Sequence, residues 1–281
     1  MQVINTIAGI RTLVEEVRRE GGIIGFVPTM GYFHEGHLSL MRRAKEECGL
    51  VVVSIFVNPL QFGPREDFAS YPRDFDRDVA MAEEAGADII FAPDVAEMYP
   101  PHFYTTVNVE KITEPLCGRS RPGHFRGVAT VVTKLFNIVR PHRAYFGQKD
   151  AQQVLVIKRL AEDLNMDLNI VNAPLVRESD GLAMSSRNVY LSPEDRQAAT
   201  VLYRSLQEAE RAVSEGILEG ARLEELVRAI ISREPRAAID YVEVLSLPDL
   251  EPCAKISGQA LVAVAVRFGN TRLIDNTIVE E

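Results

Sequence analysis

Apolar residues in the first two thirds of the chain gather in short runs at residues 23–27, 50–57, 88–91, 143–146 and 168–171. Runs of this length without polar alternation predict strands buried on both faces of a parallel sheet. Between them, residues 36–47, 74–85, 127–139 and 151–165 read as helical stretches. Repeated strand–helix order predicts an α/β fold with a doubly wound parallel sheet and right-handed crossovers. Ligands of such sheets bind beyond the carboxyl ends of the strands, which is where every polar motif described below falls.

The pattern changes after about Pro174. Ser192-Pro193-Glu194 predicts a helix start with proline in the first turn, and an amphipathic run follows to about Gly216. A second helix is expected over 223–233, then strands at 239–247, 260–268 and 272–276. The expectation is a first domain over 1–175 and a smaller C-terminal α+β domain over 176–281.

Charge narrows the partners. A formal net charge of −9 over 281 residues argues against a nucleic-acid partner, which wants an extended basic face. An anionic small substrate would need local cations. Cys48, Cys117 and Cys253 are odd in number and widely spaced, and read as reduced thiols. The N-terminus shows no signal pattern and no apolar run reaches membrane-span length. A cytoplasmic chain with no membrane partner is the expectation.

The first chemistry-bearing segment is Pro-Thr-Met-Gly-Tyr-Phe-His-Glu-Gly-His, residues 28–37, directly after the first strand. A strand-to-helix turn of this kind offers backbone N–H groups and a helix dipole to a phosphate. His34 and His37, three apart, can face one anion across a helical turn, and Gly36 lets a ligand approach the backbone. The same letters would also suit a solvated helix start. A zinc site fits less well, since H-E-x-x-H needs one more residue of spacing.

Other strand ends carry further candidates. Asn58 and Gln61 are neutral amides suited to a ligand with hydroxyl and carboxylate groups, although an Asn-Pro turn with an incidental glutamine reads the same. The polar stretch 63–76 is long for a βα loop, as lids often are. After the strand at 143–146, Gly147 permits close approach and Lys149 supplies a point charge. A lysine at a helix N-terminus opposes the dipole, so a bound anion explains it better than local stability does. Met184-Ser185-Ser186-Arg187 offers two hydroxyls and a guanidinium fork for phosphate oxygens. The cationic segment 119–127 either pairs with acidic neighbours or adds positive field.

The H-x-G-H turn resembles that of the nucleotidylyl-transferase superfamily, and the 184–187 segment resembles its K-M-S-K-S loop with arginine as the cation. Taken together, P-T-M-G-x-x-H-E-G-H, V-N-P-x-Q-F, R-P-G-H-F-x-G-V, F-G-x-K-D with Q-x-x-V following, and M-S-S-R-N resemble the pantoate–β-alanine ligase (pantothenate synthetase) family over nearly the whole chain. Residues 206–240 carry no motif.

The resemblance implies a Rossmann-like first domain and an ATP-dependent condensation of pantoate with β-alanine through pantoyl adenylate. It places ATP along Met30, Gly31, Tyr32, Phe33, His34, Glu35, Gly36 and His37, along Gly147, Gln148, Lys149 and Asp150, near Val176, and at Met184, Ser185, Ser186 and Arg187. His34, His37, Lys149 and Arg187 would be catalytic. Gln61 would bind pantoate and β-alanine and Gln153 pantoate, with Asn58 beside them. Mg²⁺ would bridge the phosphates, with Asp150 the one candidate protein ligand, and the assembly would be a homodimer. Two alternatives stay open: a nucleotidylyl transferase acting on another small acid or a phosphorylated substrate, and a nucleotide-binding module without turnover.

Overall fold

The computed structural model describes residues 1–64 and 66–281. Arg65, inside the 63–76 loop, lies outside the described residues. The chain opens with β1 (Gln2–Ile4), α1 (Ile7–Arg19), β2 (Ile24–Thr29), α2 (Glu35–Glu47) and β3 (Leu50–Ile55). Next come α3 (Phe75–Glu84), β4 (Ile89–Phe91), α4 (Val95–Met98), α5 (Cys117–Ser120) and α6 (His124–Val139). The alternating part closes with β5 (Arg143–Gly147), α7 (Ala151–Asp163) and β6 (Asn169–Ala173). Beyond it lie α8 (Pro193–Ala198), α9 (Val201–Ser214) and α10 (Gly220–Ile231). Four strands follow: β7 (Ala237–Ser246), β8 (Glu251–Pro252), β9 (Gln259–Phe268) and β10 (Thr271–Glu280).

The chain divides into two compact units. The first comprises 1–113, 121–148 and 152–174; the second comprises 114–120, 149–151 and 175–281. In the first, six strands pair in parallel in the order β1-β4-β3-β2-β5-β6. From β2 the order runs outward one way through β3 and β4 and the other way through β5 and β6, so it reverses between β2 and β5. A reversal of this kind leaves a crevice at the carboxyl ends of the two strands. Ile24, Phe26 and Val27 of β2 and Val51, Val52 and Val53 of β3 are all fully buried, as strands with both faces covered must be.

Helix starts follow local chemistry. Asp74 accepts from Arg77 N at 3.3 Å to cap α3, and Ser192, before Pro193, accepts from Asp195 N at 3.1 Å to cap α8. The amphipathic run expected from 193 to 216 is two helices. Thr200 Oγ1 donates to the Gln197 carbonyl at 2.8 Å, competing for the backbone ladder at the break between α8 and α9. β1, α1, α4 and α5 add to the five expected strands and four expected helices: β1 is three residues long and partly exposed, and α4 and α5 are four residues each, too short to show a period.

The second unit is a four-stranded antiparallel sheet in the order β10-β9-β7-β8. Leu202, Leu206, Ala209 and Val213 of α9 and Leu223, Val227 and Ile231 of α10 share a core with Val242, Val244, Val262, Val264 and Val266. Among the described residues no helix is long and apolar enough to cross a membrane. All three cysteines are thiols, none bridged in a disulfide.

Candidate active site

In the first unit the residues after β2 form a turn braced from beneath. Gly31 has φ +81° and Tyr32 φ +53°, a left-handed pair of which the first needs glycine: its Cβ would stand 2.9 Å from Asp78 Oδ2. Asp78 of α3, 1 % exposed, accepts from Tyr32 N at 2.6 Å and Phe33 N at 2.7 Å. Burial pushes its carboxyl above the usual 3.8, against the pull of those two N–H groups and of Arg77. Arg77 donates to the Phe33 carbonyl at 3.1 Å and lies over the Tyr32 ring at 5.2 Å.

The two histidines close the turn. His34 is the N-cap of α2: its Nδ1 accepts from Gly36 N at 3.1 Å, while its own N–H points to His37 Nδ1 at 3.4 Å. Each Nδ1 is an acceptor, so each ring carries its proton on Nε2. The ring centroids are 4.1 Å apart. The N–H groups of His37 and Leu38 go to the His34 carbonyl at 2.8 and 3.2 Å. The expectation of open backbone donors here is therefore corrected: the cap uses those of Gly36, His37 and Leu38, and the donors the turn can offer an anion include two imidazole Nε2–H groups. Phe33 is 1 % exposed and belongs to the core with Leu40, Met41 and Tyr145, so its side chain anchors the turn. Glu35 is exposed and paired with Arg42, which holds its carboxyl below the usual range. The Glu35 side chain forms no part of the braced turn.

Past β3, Asn58 is 2 % exposed and fully engaged. Its Nδ2 donates to Gln61 Oε1 at 3.0 Å and to the Gly127 carbonyl at 3.1 Å. Its Oδ1 accepts from Leu60 N at 3.3 Å and Tyr99 OH at 2.8 Å. With both donors and both lone pairs used, Asn58 orients Gln61; the expectation that it contacts substrate gives way to that role. The Gln61 amide then has one fixed sense, with Oε1 taken and Nε2 directed at Met30 Sδ at 3.2 Å. A thioether is a weak acceptor, readily replaced by a ligand oxygen.

Gln61 is also held from behind. Its carbonyl accepts from His124 Nδ1 at 2.9 Å and Arg121 Nη2 at 3.4 Å. Arg121 grips Glu66 with two bonds of 2.7 Å. Burial pushes the Glu66 carboxyl up, but the hydrogen bonds and charge of Arg121 outweigh it and it falls to about 2. Gly127 of α6 allows the helix to touch this turn, since a Cβ there would lie 2.3 Å from the Leu60 carbonyl oxygen and 2.6 Å from Gln61 Cα. Of the two readings for the 119–127 segment, the pairing one holds for Arg121, with Glu66, and for Arg119, with Glu243.

β5, the neighbour of β2, ends at Gly147, with no atom within 4 Å of where a Cβ would point. Gln148 follows and accepts from Asn172 Nδ2. Gln152 is buried and donates to the Ile112 carbonyl at 3.0 Å. Gln153 is half-buried and its side chain makes no hydrogen bond within the described residues. The structure thus distinguishes the two adjacent amides, leaving Gln153 able to serve a ligand.

The second unit holds the remaining candidates. Lys149 Nζ is 3.8 Å from Asp150 Oδ2, a distance beyond a hydrogen bond. Val176 and Met184 face each other in a hairpin, with Met184 N donating to the Val176 carbonyl at 3.1 Å and a bridge between Arg177 and Ala183. Ser185 Oγ then accepts from Arg187 N at 3.2 Å, starting a 3₁₀ turn over Ser186–Tyr190 in which Ser186 is buried and Arg187 half-buried. Among the described residues no group of three or more His, Cys, Asp or Glu could hold a metal ion, and Asp150 stands as a single carboxylate.

Sequence reading missed Asp78, Arg77, the carbonyl clamp made by Arg121 and His124, and the contact at Gly127. Asp78 left one trace, an acidic residue on the buried face of α3 four before Ala82.

A sheet of this order, with a histidine-capped turn at its switch point, is the build of an α/β nucleotide-binding protein. A family model described as pantoate-beta-alanine ligase matches residues 2–278. The pantothenate synthetase of Pelotomaculum thermopropionicum is 62 % identical over 278 residues, 99 % of either chain. That of Acetivibrio thermocellus is 58 % identical over the whole of both. The crystal structure of pantothenate synthetase from Thermus thermophilus matches with a TM-score of 0.93 at 48 % identity, covering 99 % of both chains. The pantoate-beta-alanine ligase of Francisella tularensis, crystallised with beta-gamma ATP and beta-alanine, matches with a TM-score of 0.82 at 32 % identity over 99 % of this chain and 97 % of that one. The chain belongs to the pantoate–β-alanine ligase family.

Proposed function

We propose that the residues assembled above carry out the family reaction in two steps on one acid. The chain is an ATP-dependent, AMP-forming ligase that joins pantoate to β-alanine to give pantothenate. In the first step a pantoate carboxylate oxygen attacks the α-phosphorus in line, the bond to the bridging oxygen breaks, and pyrophosphate leaves with the electron pair. The candidates to spread the growing negative charge are, in the first unit, the Nε2–H groups of His34 and His37 and, in the second, the Lys149 ammonium, the Ser185 and Ser186 hydroxyls and the Arg187 guanidinium, the roles the family resemblance implies. Catalysis is then chiefly positioning and electrostatics. In the second step the neutral β-alanine amine attacks the acyl carbon, the acyl C–O bond breaks so that AMP departs with the electron pair, and the nitrogen releases one proton to solvent as the amide forms.

The observation that carries this reading is the Gln61 amide, fixed in one sense by Asn58 and aimed at a weak acceptor. It suits the oxygens of a small hydroxy acid and adds no charge that would compete with the phosphates. Gln153 supplies a second amide to the same acid, and Gln61 also serves β-alanine. The family resemblance implies adenine and ribose contacts from 30–37 and from 147–150, and one from Val176 to the base.

Mg²⁺ suits a site with a lone carboxylate, since it keeps most of its waters and binds through one or two carboxylates plus substrate phosphates. Asp150 would hold it, and its charge would be shared among the phosphate oxygens. A homodimer is the assembly the family resemblance implies, and the cytoplasm is the compartment that thiols without a disulfide fit. Incubation with ATP, Mg²⁺, pantoate and β-alanine tests the whole reading: AMP and pyrophosphate in step with pantothenate are expected, and stoichiometric ADP would overturn it.

A further inference from the structure

Lys149 sits in a three-residue 3₁₀ turn, Gln148–Asp150, too short to be rigid by itself. In the second unit its backbone is held by a residue far along the chain. Asn276 of β10 donates Nδ2 to the Lys149 carbonyl at 3.0 Å. Asn276 is 5 % exposed, and its own N–H goes to Asp275 Oδ1 at 2.8 Å. Asp275, 2 % exposed, takes the Arg177 guanidinium in two bonds of 2.7 and 3.0 Å. Arg177 also donates to the Gly181 carbonyl at 3.0 Å, at the tip of the hairpin whose second arm leads into 184–187. Two adjacent strand residues thus hold the segments that carry Lys149 and Arg187, one through a carbonyl and one through an ion pair.

We propose that Asn276 is a positioning residue for Lys149. The proposal rests on the reading that Lys149 meets the ATP phosphates. A charge that stabilises a transition state must already be in place, and a displacement of about 1 Å forfeits a large part of its effect. Asn276 fixes the carbonyl of the residue whose side chain carries that charge, and its strand is itself locked by the buried Asp275–Arg177 pair.

The test is a double-mutant cycle on the pantoate-dependent adenylation rate at saturating ATP, in the full-length protein. Asn276→Ala is expected to slow adenylation about 10-fold or more, with pantoate affinity in the absence of ATP unchanged. In a Lys149→Ala background the same substitution should change the rate by less than about 2-fold, because its effect runs through Lys149. Additive losses, or an unchanged rate in Asn276→Ala alone, would overturn the proposal. Lys149→Ala alone keeps the two levels apart: a normal rate there overturns the phosphate reading, whereas a slow rate there with a normal Asn276→Ala overturns only the positioning role. Asn276→Ser, which keeps a polar side chain on the strand, carries the same cycle where alanine costs the fold.

Discussion

His34 and His37 each spend Nδ1 on a backbone N–H, at 3.1 and 3.4 Å, and so each carries its proton on Nε2. One pair of rings therefore caps helix α2 and, in the proposed reaction, also turns its Nε2–H groups to the phosphates. The two roles can be separated. Asparagine is as good an N-cap as any residue, but it has no atom where Nε2 stands. His34→Asn should keep the melting temperature near that of the parent while adenylation falls about 10²-fold. Single-turnover adenylation with thermal melts measures both, and a normal rate in a well-folded variant would remove His34 from the chemistry.

Gln61 and the α6 helix form a second such relationship. Gln61→Ala should weaken pantoate by roughly 1–3 kcal/mol while leaving ATP affinity largely intact. Gly127→Ala should have a similar direction by another route, because the new methyl would collide with Leu60 and Gln61 and push the turn from its place. Equal loss of ATP and pantoate affinity in calorimetry would contradict the assignment of Gln61 to the acid.

The Glu66–Arg121 clip gives a pH signature. The Glu66 carboxyl lies at about 2 in the folded protein against an ordinary 4.5. A depressed folded pKa means that the unfolded state binds more protons in between, so the stabilisation is complete above about 4.5 and is lost as pH falls towards 2. The gap in melting temperature between the parent and Glu66→Gln should be constant near neutral pH and close between about pH 4.5 and pH 2. A gap that is flat across that window would show that the pair contributes nothing to stability.

The strands of the parallel sheet were legible because burial on both faces leaves continuous apolar runs, and the segments after β2 and β5 announced themselves by glycine, histidine and lysine at strand ends. What could not be read was tertiary support. Asp78 shares the stretch 74–84 with Asp74, Asp76, Glu83 and Glu84, and its place four before Ala82 is a faint sign beside them that it turns inward, with none that it holds Tyr32 and Phe33. Asn58 carried the right chemistry for a ligand, but its four bonds come from residues 60, 61, 99 and 127, a convergence no local window contains. Asn276 is the same case at greater distance. The break at Thr200 was hidden because the apolar stripe on α8 and α9 runs on either side of it.

The described residues of the 63–76 loop pack around Phe62. Phe62 meets Phe68 and Tyr71 with ring centroids 5.4 and 5.9 Å apart, and Arg73 donates to the carbonyls of Tyr71 and Phe68. A loop with its own small core can exclude water as a unit. Replacing Phe62 and Tyr71 by alanine should raise AMP formation uncoupled from pantothenate, measured as the ratio of the two products. A ratio that stays at one would show that the loop does not protect the intermediate.

In the two-step scheme an acyl adenylate forms before the amine is used. Exchange of labelled pyrophosphate into ATP tests this order most directly, because exchange requires the first step to run forward and back on the enzyme. Exchange is expected with pantoate present and β-alanine absent, and none when pantoate is omitted. Exchange that appears only when β-alanine is added would contradict the two-step order and require the amine to take part in the first chemical step.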